Sequence, residues 1–248
     1  MIEAVLFDFS STLIDSPAWM ALELRTLPRE AFELLAAQGH ITPLRSEQLA
    51  QAEGVFRHAR EQADAAGCET SHLDDLSSMV AALGLQDQVP LKLVEQTVAT
   101  LHRQRLPEVT LISGATETLA KLQAHDYRIS IISNAAYSPF LTWTLERFEL
   151  LHFFEKILVS ADVGVRKPGL DIFRIALDQL ELAPADAVYV GDDFQKDVAA
   201  PKQLGMRAIW FRPDGAAPLP GGQVTADAIV SELIQVPDWV GRWSNNGV

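Results

Sequence analysis

The chain has 248 residues, of which 48% are hydrophobic and 21% charged, with a formal net charge of −13. These proportions fit a globular protein and exclude intrinsic disorder or a fibrous repeat; the length suits one α/β domain with an insertion. The negative balance opposes nonspecific attraction to phosphate backbones and anionic lipid, so neither nucleic acid nor membrane is an expected partner.

Residues 2–9 form a nearly continuous apolar run around Val5, Leu6 and Phe7, the pattern of a parallel strand covered on both faces. The run ends abruptly in the sequence Asp8-Phe9-Ser10-Ser11-Thr12. No basic region precedes it, as a signal peptide would require, and charged residues interrupt every stretch approaching the roughly 20 apolar residues of a membrane helix. Cys68 has no second cysteine to pair with, which fits a reducing compartment and makes the cytoplasm the expected location.

From about Pro17 to Pro107 the strand signals vanish. Apolar residues fall instead at helical spacing, first at Leu22, Leu24, Phe32, Leu34 and Leu35, later at Val94, Val98 and Leu101. Pro43, Gly67, Gly84, Pro90 and Pro107 divide this region into four or five expected helices. Short apolar runs return at 129–132, 157–159, 187–190 and 208–211, separated by helical stretches such as 170–180. Strands alternating with helices predict a doubly wound, Rossmann-like parallel sheet. The expected division is an α/β core of residues 1–16 and 108–248, with an α-helical cap of residues 17–107 closing over the strand ends. The stretch 213–222 reads as a surface loop before a last strand and helix.

Ligands of open α/β sheets bind beyond the carboxyl ends of the strands, where polar residues carry the chemistry. Four such places stand out: Asp8, Ser133-Asn134, Lys167 and Gly191-Asp192-Asp193. Two adjacent aspartates at a strand end are costly unless a cation compensates them, and a hard divalent ion such as Mg²⁺ is the economical partner. The six histidines, His40, His58, His72, His102, His125 and His152, show no HxxxH or Cys/His spacing, which argues against zinc and places most of them on helix surfaces. Trp19 and Trp143 read as core residues more than cleft residues.

In this order, each at or just after a strand end, these segments resemble the four motifs of the haloacid dehalogenase superfamily. The matching segments are 7–9 through Thr12-Leu13, Ile132-Ser133-Asn134, 163–168 and 191–197. The insertion between the first and second motifs stands where that family places a helical cap. The resemblance implies a hydrolase in which Asp8 attacks phosphorus and forms an aspartyl-phosphate, splitting one difficult substitution into two easier ones. It also implies Mg²⁺ held by Asp8, the Ser10 carbonyl and Asp192, with Asp193 as a further ligand. Ser133 would donate to the transferring phosphoryl group, Lys167 would neutralise its charge, and Thr12 and Asn134 would join them in binding a small phosphorylated substrate. Asp197 is expected to support the metal site or orient Lys167, and the protein is expected to be a monomer or homodimer.

Phosphatases of that family usually carry a second Asp two residues after the nucleophile, followed by Gly; this chain has Ser10 and Ser11. A serine hydroxyl cannot unaided protonate a leaving oxygen or activate water, although its carbonyl can still face a metal. Alternatives are therefore a carbon–halogen or carbon–phosphorus hydrolase of the same superfamily, or a noncatalytic anion-binding homologue. The first is disfavoured by the retained acidic pair. The second is disfavoured because Lys92 is the sole lysine between Asp8 and Lys121.

Overall fold

The computed structural model describes residues 1–213 and 225–245, so the loop expected at 213–222 lies, apart from Pro213, outside the described residues. The chain divides into two compact units: Met1–Asp15, Thr110–Asn134 and Leu145–Val248 form the first, Ser16–Val109 and Ala135–Thr144 the second.

The first unit is built on strands β1 (Ala4–Phe7), β4 (Arg128–Ser133), β5 (Lys156–Val159), β6 (Ala187–Gly191), β7 (Arg207–Phe211) and β8 (Ala228–Val230). They form a six-stranded sheet in the order β5-β4-β1-β6-β7-β8, and every pair is parallel. The four runs identified by periodicity after residue 108 thus lie within a residue of the observed strands. Side chains alternate across a strand. Ala4 and Leu6 pack with Ile132, Tyr189 and helix Asp171–Leu180, leaving Val5 and Phe7 for the opposite face. All four are fully buried, which is why β1 reads as a continuous apolar run. Strand order reverses around β1, between β4 and β6, and this switch point is where an open α/β sheet presents its ligand crevice.

Strands β2 (Ile14–Asp15) and β3 (Thr110–Leu111) escape periodicity because each has two residues. They pair antiparallel, with Ile14 opposite Leu111, so the chain leaves and re-enters the first unit through neighbouring strands.

The second unit contains α1 (Pro17–Ala21), α2 (Leu27–Ala37), α3 (Ser46–Ala66), α4 (His72–Ala82) and α5 (Leu91–Arg105), against four or five helices expected there, together with the first part of the helix Pro139–Arg147. A π-helical turn, Leu22–Thr26, links α1 to α2. Leu22, Phe32, Leu35, Phe56, Met79, Val94, Val98 and Leu101 form its core. Gly67 ends α3 in the left-handed conformation at φ +66°, a position where glycine carries no Cβ penalty.

Two features differ from the sequence expectation. Residues 135–144, assigned to the core by position, belong to the helical unit: Phe140 stacks on Trp19 at 4.5 Å, and Tyr137 packs against the same apolar cluster. Of the six histidines, most of which were expected on helix surfaces, four are exposed but His72 and His102 are fully buried, with His72 Nδ1 3.0 Å from His102 Nε2. Burial pushes His72 down to about 3, and holds His102 well below its ordinary value, so both rings are neutral. Aromatic neighbours enclose them, since His102 lies 4.5 Å from the Tyr137 ring and 5.7 Å from that of Phe140.

Candidate active site

Asp8 follows β1 directly, and its N–H donates to the Val190 carbonyl at 2.8 Å, which extends the strand pairing by one residue and aims the side chain beyond the sheet edge. Ser133 is the last residue of β4, buried at 1% exposure, and Asn134 follows it. Asn134 fixes the lysine segment from both sides. Its Nδ2 donates to the Lys167 carbonyl at 2.8 Å, and its Oδ1 accepts from the Lys167 N–H at 2.9 Å.

Lys167 is 2% exposed, an unusual place for an ammonium group, and its partners explain it. The Nζ donates to Asp8 Oδ1, Asp197 Oδ1 and the Tyr189 hydroxyl, each at 2.7 Å, using all three N–H bonds. The Tyr189 hydroxyl in turn donates to the Ile132 carbonyl at 2.8 Å. Burial opposes the charge on Lys167, yet Asp197 and Asp8 together hold its pKa well above the ordinary lysine value. Burial also holds the Tyr189 phenol well above its usual range, so it stays protonated as a donor.

Gly191 and Asp192 lie at the end of β6. Asp192 accepts from the Thr12 hydroxyl at 3.3 Å, and its carbonyl accepts from Trp210 Nε1 at 2.8 Å. Burial, with the Asp8 charge beside it, pushes the Asp192 carboxyl up to about 6. Asp193, expected as a metal ligand, instead caps the π-helical turn Phe194–Ala199: Oδ1 accepts from the N–H groups of Gln195 and Lys196, and Oδ2 accepts from Lys196 Nζ. The turn carries Asp197 inward at 1% exposure, where Oδ2 accepts from the Asp193 N–H at 2.9 Å and Oδ1 faces Lys167. Gly191 makes room for it. A Cβ there would stand 2.4 Å from Asp197 Cγ, inside any allowed contact.

Asp8, Asp192 and Asp197 each bring one oxygen within 4.8 Å of the others. Three carboxylates are therefore gathered around one ammonium, and a second positive charge would relieve the excess. The donors are all hard oxygens, which suits Mg²⁺. Ser10 is half-buried in a bridge with Ile14, and Ser11 adopts φ +59° in the tight turn that follows. Tyr189 had no signal beyond being the single polar-tipped residue in an otherwise apolar strand.

Residues 5–211 match the model of the haloacid dehalogenase-like hydrolases. The chain belongs to this family. A glyceraldehyde 3-phosphate phosphatase of Methanopyrus kandleri is 30% identical over 214 residues, which cover 86% of this chain and 84% of that protein. A phosphatase of the same name from Pyrococcus furiosus is 32% identical over 147 residues, and there the match spans 58% of this chain and only 60% of the relative. Among solved structures, a 2-haloacid dehalogenase from Pseudomonas syringae pv. Tomato shares the fold with a TM-score of 0.76 at 24% identity, over 98% of this chain and 100% of that one. Within the haloacid dehalogenase-like hydrolases, the described architecture is the parallel α/β core with an inserted helical unit, and the chain is a hydrolase of that type.

Proposed function

We propose that the protein is a phosphatase acting on a small phosphorylated metabolite, with Asp8 as nucleophile. The observation that carries this reading is the Lys167 ammonium, held at 2.7 Å by both Asp8 and Asp197 beside the acidic Asp192. The phosphatase names of the relatives support it.

In the first step an Asp8 carboxylate oxygen attacks phosphorus, a new P–O bond forms, and the bond to the leaving oxygen breaks. In the second, water attacks the aspartyl-phosphate and releases inorganic phosphate, regenerating Asp8. Lys167 is pre-set by its three acceptors and needs no reorganisation to offset charge around Asp8, while the Ser133 hydroxyl donates to a phosphoryl oxygen. Asp8, Asp192 and the Ser10 carbonyl would hold Mg²⁺, which supplies positive charge against the phosphoryl oxygens when bound. Because Ser10 stands where a carboxyl acid would serve, the leaving oxygen takes its proton from solvent. That favours substrates with acidic leaving groups.

Lys92, needed by the carbon–phosphorus alternative, is exposed near the start of α5, where an imine-forming amine would lack the desolvated surroundings it needs.

Phosphate release from an aryl phosphate and from glyceraldehyde 3-phosphate tests the proposal. Turnover should require Mg²⁺, vanish with a chelator, return on adding the metal, and be lost in Asp8→Asn. Turnover indifferent to the chelator, or retained by Asp8→Asn, would overturn it.

A further inference from the structure

We propose that Glu23, His72 and His102 form a second metal site, inside the helical unit, for a divalent transition ion of the Zn²⁺ class. Each residue offers one ligand atom within 4.8 Å of the others. His72 Nδ1 and His102 Nε2 stand 3.0 Å apart, close to the separation of two donors that share one ion at about 2.0–2.1 Å. Glu23 Oε1 lies 4.0 Å from His72 Nδ1, too far for a hydrogen bond, and accepts none elsewhere among the described residues although Glu23 is only 7% exposed. A buried carboxylate oxygen in that condition is costly, and a cation is the partner that its surroundings lack.

The remaining contacts hold the donors in place. Glu23 Oε2 accepts from the Ala136 N–H at 2.8 Å, so the carboxylate is anchored by one oxygen and presents the other. His72 Nε2 faces the Glu23 carbonyl at 3.4 Å, which sets that nitrogen as the protonated one and leaves the Nδ1 lone pair for the ion. His102 Nδ1 then carries the second ring's proton and is the one donor the ion leaves unpaired.

Charge points the same way. Arg60 pairs with Glu69 and Asp75 at 2.9 Å, so the nearby guanidinium is engaged by two carboxylates other than Glu23. A divalent ion would compensate the Glu23 carboxylate. Imidazole nitrogens select Zn²⁺ and its neighbours over Mg²⁺, which separates this site chemically from the all-oxygen cluster at Asp8. Three protein donors leave a fourth position for water. The ligands come from the turn Leu22–Thr26, α4 and α5, far apart in sequence, and so show none of the usual spacings.

The test is the Zn²⁺ content of the full chain, purified without chelators or metal-affinity resin and also refolded from urea with Zn²⁺, measured after desalting. One Zn²⁺ per chain should remain in the wild type and in Asp192→Asn, whose change lies in the other cluster. Glu23→Gln keeps an acceptor for Ala136 and should weaken Zn²⁺ binding by at least about 100-fold, as loss of a direct ligand exceeds the usual effect of an outer partner. If that variant does not fold, the wild type decides through Co²⁺: intense visible bands of a four-coordinate site support the proposal. Zn²⁺ retention equal in Glu23→Gln and wild type, retention lost in Asp192→Asn, or a weak six-coordinate Co²⁺ spectrum would each overturn it.

Discussion

At the scale of single residues, Lys167 bears the heaviest demand, because a buried ammonium holds two buried carboxylates together. Lys167→Met keeps the volume but strands Asp8 and Asp197, and should lower stability by about 3–5 kcal/mol in urea unfolding while abolishing phosphate release. On the proposed phosphatase reading, Ser10 and Ser11 stand where leaving-group protonation would be decided. Positioned acid–base groups contribute roughly 10²–10⁴-fold, so Ser10→Asp should raise turnover of alkyl phosphates more than that of aryl phosphates, whose leaving group needs the proton less. Ser11 sits at φ +59°, where a side chain costs about 1–2 kcal/mol relative to glycine. The paired change to Asp-Gly should therefore outperform Ser10→Asp alone; if neither variant favours alkyl substrates, leaving-group protonation does not limit the reaction. Asp8, Ser133, Lys167 and Asp192 were legible because each directly follows, or closes, a strand or motif. Asp197 was legible as a residue expected to support the metal site or orient Lys167, whereas Tyr189 was not, because its contact with Nζ joins separate segments.

At the scale of elements, the two π-helical turns present Glu23 and Asp197, the buried carboxylates of the two candidate sites. The turn after β6 reaches its position only because residue 191 lacks a side chain. Gly191→Ala should push Asp197 off Lys167 and cost on the order of 10²-fold in kcat, the typical penalty for a displacement of about 1 Å near a reacting centre. Normal turnover in that variant would show that Asp197 does not position the lysine. The turn holding Glu23 lends itself to a pH measurement on metal-free protein. Burial raises the Glu23 carboxyl from 4.5 to about 7, so the folded state holds a proton that the unfolded state releases between those values. Stability from this group is fully present below pH 4.5 and is lost as pH rises through about 7. Glu23→Gln cannot lose the proton; its stability relative to wild type should climb by about 3 kcal/mol between pH 4.5 and 8, read by urea unfolding in chelator. A flat difference would place Glu23 outside that titration.

At the scale of the whole molecule, two separate apolar clusters mean that stability need not be lost uniformly. Met79 is fully buried in the helical unit, and Met79→Ala should cost about 2–5 kcal/mol. Hydrogen exchange should then accelerate in α2, α4 and α5 while β1, β4 and β6 keep their protection. Equal acceleration in the parallel sheet would show that the two cores open as one. Among the described residues no helix is long and apolar enough to cross a membrane, consistent with the interrupted apolar runs.

What the sequence by itself determined is whatever repeats locally: buried strands announce themselves as apolar runs, helices by a period near four, and candidate site residues by standing where a run stops. Tertiary structure decided the pairings that have no local period. Asp8 and Lys167 meet across 159 residues of chain, His72 and His102 across 30, and Ala136 reaches Glu23 across 113. Such contacts satisfy buried charge and close a core, and neither requirement leaves a mark on the spacing of the residues that meet it. For that reason nothing in the sequence set His72 and His102 apart from the exposed histidines, and residues 135–144 looked like part of the sheet domain, until packing placed both in the helical unit.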